Sequence, residues 1–272
     1  MKRKRLARDW NRSLVLVPVC VFALATVGDA AEMTDCLRQA RNLPAAIQSI
    51  DYSYTTNSGR SLINGRFVIQ GDRWYHGLFE KPGDEIADTE FAFNGAKYEH
   101  KKSGTYLRFS DKPLSSVAKS GPLVHPYVWF ISQPPELSLD ALQDQEKWEE
   151  VIKQLKSEGK KDVDGKECEA YSLVRDKGVF TVYLSLVDHG FPILVQFDGN
   201  DGLKAECRAT ELAEFPGPVV VAVRLEGSNT SLRTQYEIEK ATLKVNQPAD
   251  PTIFSLDPTG VPQILQVKKS QD

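Results

Sequence analysis

From Ile50 onward the chain is written as short alternating segments that break at turn residues, and no other feature constrains its fold as much. "IDYSYTTNSGRSLINGRFVIQGDRWYHGLFE" reads as extended stretches around Asn57-Ser58-Gly59, Asn64-Gly65 and Gly71-Asp72. "TEFAFNGAKYEHKKSGTYLRFS" repeats the texture, with turns at Asn94-Gly95 and Ser103-Gly104. Asn-Gly supplies the positive φ angles that tight hairpins need. Later come "ECEAYSLVR", "VFTVYLSLV", "FPILVQFDG", "LKAECRATELAEF", "VVVAVRLEG" and "TQYEIEKATLKVN". Asp176-Lys177-Gly178, Asp188-His189-Gly190 and the run Asp198 to Gly202 separate the first four of these. Turns this short make neighbours in sequence neighbours in space, so the expectation is a mainly β chain folded as an antiparallel meander. Roughly ten strands in a row expose unpaired edges unless the sheet curls. Curling towards a barrel addresses the edges and leaves an interior that side chains, helices or a ligand must fill.

Helices are few. Thr34 can cap a short one carrying Leu37, Ala40 and Leu43, which Pro44 ends or kinks. Asp140 begins a helical run with Trp148, Val151, Ile152 and Leu155 on one face, although from Trp148 onward a strand is an equal reading. Near the C-terminus "TIFSL" (Thr252 to Leu256) reads as the last strand of the curled sheet, stopped by Asp257-Pro258 and Gly260. With no Gly/Ser linker and no repeat period, residues 31–272 read as a single domain.

Residues 1–30 read as a secretory signal peptide. A basic start, "MKRKRLAR", precedes the apolar run Ser13 to Val27, and Gly28-Asp29-Ala30 places a cut after Ala30. "LVPVC" lacks the small residues that a lipid-modified Cys20 needs before it. About 240 residues remain, enough for one large β domain or two small ones. The net charge of −3 includes that basic start, so the exported chain is more acidic still and carries no nucleic-acid footprint. Cys36, Cys168 and Cys207 survive the cut, which allows one bridge in an oxidising compartment. Cys168 and Cys207 both fall in the second meander and are expected to form it.

Catalytic signatures are missing. His76, His100, His125 and His189 are scattered, with no HExxH pairing, and there is neither a GxSxG elbow nor a phosphate-binding loop. No Cys/His spacing marks a metal site. "DGNDG" from Asp198 puts Gly202 where a calcium loop needs a ligand, so it reads as a hairpin turn. The expectation is a protein that is not an enzyme and carries no cofactor.

What the sequence does offer is apolar area. Phe67, Ile69, Trp74, Phe91, Phe93 and Tyr98 lie in the first meander, and Tyr127, Trp129 and Phe130 in the segment after it. Period-two alternation puts Phe67 with Ile69 and Phe91 with Phe93 on one face. These residues are either core filler or the lining of a cavity, with the segment around Trp129 as its cover.

The order of signal, short helix, meander, helical interruption and second meander ends in "PTIFSLDPTGV". It resembles the periplasmic outer-membrane lipoprotein carriers and their LolA/LolB-like relatives, whose chains end in a Phe-x-Phe/Leu-x-Pro-x-Gly-Val pattern. Phe254, Leu256, Pro258, Gly260 and Val261 match it. "GRFVIQGDRWYHGLFE" followed by "FAFNGAKYEH" is similar to the family's early hairpins, although the carrier's Arg-Pro step is replaced here by Gly71-Asp72-Arg73-Trp74. The resemblance implies an unclosed antiparallel β-barrel covered by a helical lid, in an exported, periplasmic or secreted protein. It implies lipid or lipoprotein acyl chains as partners. The rival expectation is an envelope interaction or sensor module whose cavity is self-filled and whose partner is a protein; a secreted hydrolase on a β scaffold is a third.

Overall fold

The computed structural model describes residues 34–59, 61–81, 84, 87–111, 153–230 and 232–266. The first meander comprises β1 (Ser49–Asn57), β2 (Leu62–Gln70), β3 (Arg73–Phe79), β4 (Thr89–Phe93), β5 (Tyr98–Lys102) and β6 (Tyr106–Ser110). The second comprises β7 (Lys156–Val163), β8 (Lys166–Arg175), β9 (Gly178–Ser185), β10 (Pro192–Gly199), β11 (Lys204–Phe215), β12 (Val219–Asn229) and β13 (Arg233–Ile238). Two short strands follow, β14 (Lys244–Val245) and β15 (Ile264–Gln266). All belong to one sheet in the order β15-β6-β5-β4-β3-β2-β1-β13-β12-β11-β10-β9-β8-β7, with β14 paired to β1. The two meanders therefore join where the first strand of one meets the last of the other, Tyr54 opposite Ile238. β7 and β15 are the free edges, so the sheet is unclosed among the described residues. Edge β7 is exposed except at Val163 and carries Lys156, Lys160 and Lys161, charges that oppose pairing with another chain.

One α-helix, α1 (Asp35–Ala46), is present among the described residues. Thr34 caps it through Oγ1, which accepts from Leu37 N at 3.3 Å. Leu37, Ala40 and Leu43 are buried, as the spacing predicts, and the helix continues through Pro44 to Ala46 because its apolar face is held by packing. It is a plug, not a lid, because those side chains belong to the same core as both meanders. At its start Thr34 bonds Tyr171 of β8 at 2.6 Å, and at its end Ala46 O accepts from Asn246 beside β14. Twelve helical residues span about 18 Å, whereas β8 and β1 lie about 29 Å apart across a flat sheet. The helix is thus a chord across a curled sheet. Gly190 makes its seat: a Cβ there would fall 2.5 Å from Cys36 O.

Several expectations are corrected. Asn64-Gly65 is no turn but the middle of β2. "TIFSL" is no strand either. Asp250 accepts from Thr252 N at 2.9 Å and, with Pro251, starts a 3-10 turn over Pro251–Phe254. The edge strand comes later, at β15, and it runs parallel to β6 with Ile264 opposite Leu107. Phe254 and Leu256 instead cover the outer face of the first meander, packed with Val68, Tyr75, Ala92 and Leu107. Arg73 lies over the Phe254 ring at 5.0 Å, and Glu99 accepts from Leu256 N at 2.7 Å. The expected Cys168–Cys207 bridge does not form, and all three described cysteines are free. β9 and β10 separate β8 from β11, which places their strands roughly 14 Å apart in the sheet, with the two cysteines also out of register and far beyond bridging distance. The predicted signal, the helix from Asp140 as far as Ile152, and Tyr127, Trp129 and Phe130 lie outside the described residues, while Leu155 is buried just before β7 and is not helical.

Candidate functional site: an aromatic inner face

Paired residues in a ladder share a face, so register determines what the inner face presents. One row runs Tyr52, Phe67, His76, Phe91, His100, Arg108 across β1 to β6. The next runs Ile50, Ile69, Trp74, Phe93, Tyr98, Ser110. Six sequence-predicted residues, Phe67, Ile69, Trp74, Phe91, Phe93 and Tyr98, therefore lie together on one face. Phe67 is fully buried in the main core, while Trp74 and Phe91 form a separate cluster with Ile69, Leu78, Phe93 and Tyr98.

The first row is a ladder of rings. Tyr52 to Phe67 is 5.9 Å between centroids, Phe67 to His76 5.7 Å, His76 to Phe91 6.4 Å. Phe91 then stacks on His100 at 4.4 Å, and Tyr106 meets His100 edge-on at 5.3 Å. Tyr54 joins the two meanders by stacking on Tyr236 at 4.9 Å. The histidines were missed as site residues because nothing in the sequence says which residue stands opposite Phe67 or Phe91. Both are held neutral: burial pulls His76 down to about 4, and burial, then Arg108 and Lys102, do the same to His100.

On the second meander the inner face opens into a groove of about 380 Å³. Phe180, Val195, Phe197, Ala205, Cys207 and Leu232 line it, and Leu203 is exposed at its mouth. Phe180 and Phe197 lie 4.5 Å apart as facing partners on β9 and β10. The volume falls in the range of roughly 300–1,000 Å³ typical of small-molecule sites. None of these lining residues except Cys207 drew notice in the sequence, since each looks like ordinary strand filler until the register brings them together.

The described thiols are held protonated. Burial raises the Cys207 thiol well above its usual range, and burial, then nearby acidic groups, push Cys36 to about 12 and Cys168 to about 11. A thiol held protonated is a poor nucleophile. Among the described residues no three His, Cys, Asp or Glu side chains gather as a metal site. No helix among them is long and apolar enough to cross a membrane. The arrangement offers apolar surface, stacked rings and two neutral imidazoles on either side of Phe91.

No family model and no curated protein matches the chain. Among solved structures it is similar to a DUF1329 family protein from Desulfovibrio piger, at 11% identity over 81% of this chain and 98% of that one, TM-score 0.46. It is similar also to a proposed outer membrane lipoprotein-sorting protein domain from Vibrio parahaemolyticus, at 12% identity over 80% and 95%, TM-score 0.46. Mycobacterium tuberculosis lipoprotein LppX matches at 11% identity over 79% and 95%, TM-score 0.33. At such identities and scores the likeness says nothing of ligand or partner, and any functional reading rests on the inner face itself.

Proposed function

We propose that this is an exported, non-enzymatic protein that binds the acyl chains of a lipid or lipoprotein on the inner face of its unclosed sheet, as a carrier in outer-membrane lipoprotein sorting. The observation that carries the reading is the open apolar groove of Phe180, Val195 and Phe197, which lies on the same inner face of the sheet as the aromatic ladder. Each methylene withdrawn from water contributes about 0.8 kcal/mol, so a chain laid in such a groove binds without any catalytic group. A delipidated sample is expected to take up a fluorescent fatty-acyl probe saturably, and lipid extracted from gently purified protein is expected to contain acyl chains.

A second reading draws on a specific observation. Phe67, Trp74, His76 and Phe91 are already buried to within a few per cent. An interior filled by its own side chains fits an envelope interaction or sensor module that recognises a protein. Absence of acyl binding, together with capture of one defined protein partner, decides for that module.

A further inference from the structure

His76 sits in the middle of the inner face, 3% exposed, among the rings of Phe67, Phe91 and Tyr54. Its Nε2 lies 2.6 Å from the Tyr54 hydroxyl. Its Nδ1 is buried and has no hydrogen-bond partner among the described residues. A buried polar atom without a partner is costly and rare in native proteins, and it calls for a partner such as a water or a ligand group.

The protons of Tyr54 and His76 decide whether that atom donates or accepts. A neutral imidazole carries one N–H, on one ring nitrogen or the other. If Nε2 held it, the Tyr54 proton and the Nδ1 lone pair would both go unbonded. If the Tyr54 hydroxyl donates to Nε2, the N–H is on Nδ1 and a single group is left over. The second arrangement leaves less unsatisfied, so the free group is a donor. Its surroundings are apolar, and the ring is neutral at physiological pH, so it offers a hydrogen bond without a charge. We infer that His76 is the polar anchor of the inner face, its Nδ1–H donating to the carbonyl oxygen of a bound, uncharged acyl ester or amide. The inference rests on the acyl-binding reading and adds to it a ligand class: chains carrying a neutral carbonyl, preferred over plain alkyl chains.

A monoacylglycerol and the alkylglycerol ether of matched length test it, because they differ in that carbonyl alone. Wild-type protein is expected to bind the ester about tenfold more tightly, the worth of one buried hydrogen bond. His76→Phe is expected to bind both equally, at the affinity wild type shows for the ether. Should that variant unfold, nitrogen NMR of the folded wild type gives the answer instead. Nδ1 is expected to be the protonated nitrogen of His76, and its resonance to move with the ester and not with the ether. Equal binding of ester and ether by wild type overturns the anchor while leaving acyl binding standing. Failure of both probes to bind overturns acyl binding itself. Repeating the comparison with a lysophospholipid and with a lipid-modified peptide identifies the source of the carbonyl. Preference for the ester in either supports the anchor, and preference in neither overturns it.

Discussion

The hydroxyl of Tyr54 reaches Nε2 of His76, two strands away, by lying flat across Gly65 on the strand between them. An alanine Cβ at that glycine would fall 2.5 Å from the Tyr54 ring carbons. The ring cannot retreat freely, since its other side stacks on Tyr236. Gly65 is therefore the slot that permits the contact.

Gly65→Ala is accordingly expected to destabilise the protein by about 1–3 kcal/mol, through overpacking and loss of the Tyr54–His76 bond. Urea unfolding measures this, and Gly71→Ala serves as a contrast. Gly71 has a φ of +61° and open space around its missing Cβ, so it incurs backbone strain alone. A Gly65→Ala midpoint equal to wild type would mean that Tyr54 moves aside without loss.

The same glycine shows how far the sequence can be read. Asn94-Gly95 and Asn64-Gly65 are the same dipeptide; the first is a turn with Gly95 at φ +93°, the second lies inside a strand. What separates them is a ring from a neighbouring strand, which no local pattern contains. Alternation correctly put Phe67 with Ile69 and Phe91 with Phe93. Register, which sets His76 opposite Phe67 and gathers Phe180, Phe197 and Cys207, is a property of pairs and was not legible. For the same reason Cys168 and Cys207 looked like partners, since membership of one meander does not make two strands adjacent. "TIFSL" misled because its alternation is real: Phe254 and Leu256 do share one cluster, but they pack on the outer face of the first meander and not within the sheet.

Phe254→Ala is expected to cost about 3–5 kcal/mol, since the side chain is 1% exposed and fills the outer-face cluster. Because that cluster lies on the side away from the ring ladder, acyl-probe affinity measured below the unfolding transition is expected to stay within about twofold of wild type. A large loss of affinity in folded Phe254→Ala protein would place the ligand on the wrong face.

Glu99 is expected to make the stability of the fold depend on pH. Burial raises its carboxyl above the usual range, partly offset by the bond from Leu256 N and by Lys97. A raised folded value means that the native state binds the proton more tightly than the unfolded chain does. The stabilisation is thus complete below the ordinary carboxyl range and is lost as pH rises through the raised value. Between mildly acidic and neutral pH the wild type is expected to lose more stability in urea unfolding than Glu99→Gln, which keeps an acceptor without the charge. A wild type that instead gains on Glu99→Gln over that range contradicts the assignment.

The three described thiols are expected to be free and slow. Intact mass after alkylation in denaturant is expected to show Cys36, Cys168 and Cys207 each modified, while the native protein at neutral pH reacts at none of them within the time that modifies the unfolded chain. A mass two hydrogens short with one free thiol would reinstate a bridge.

The central claim is that acyl chains occupy the inner face, and titration of the delipidated protein with a fluorescent fatty-acyl probe tests it most directly, in wild type and in Ala205→Trp. Ala205 lines the groove opposite Phe197, so an indole there fills the space without entering the ladder. Circular dichroism confirms that the variant is folded. The account predicts saturable binding to wild type, displacement by an unlabelled acylated peptide, and at least about tenfold weaker binding to Ala205→Trp. Folded wild type that shows no saturable uptake of any acyl probe contradicts it.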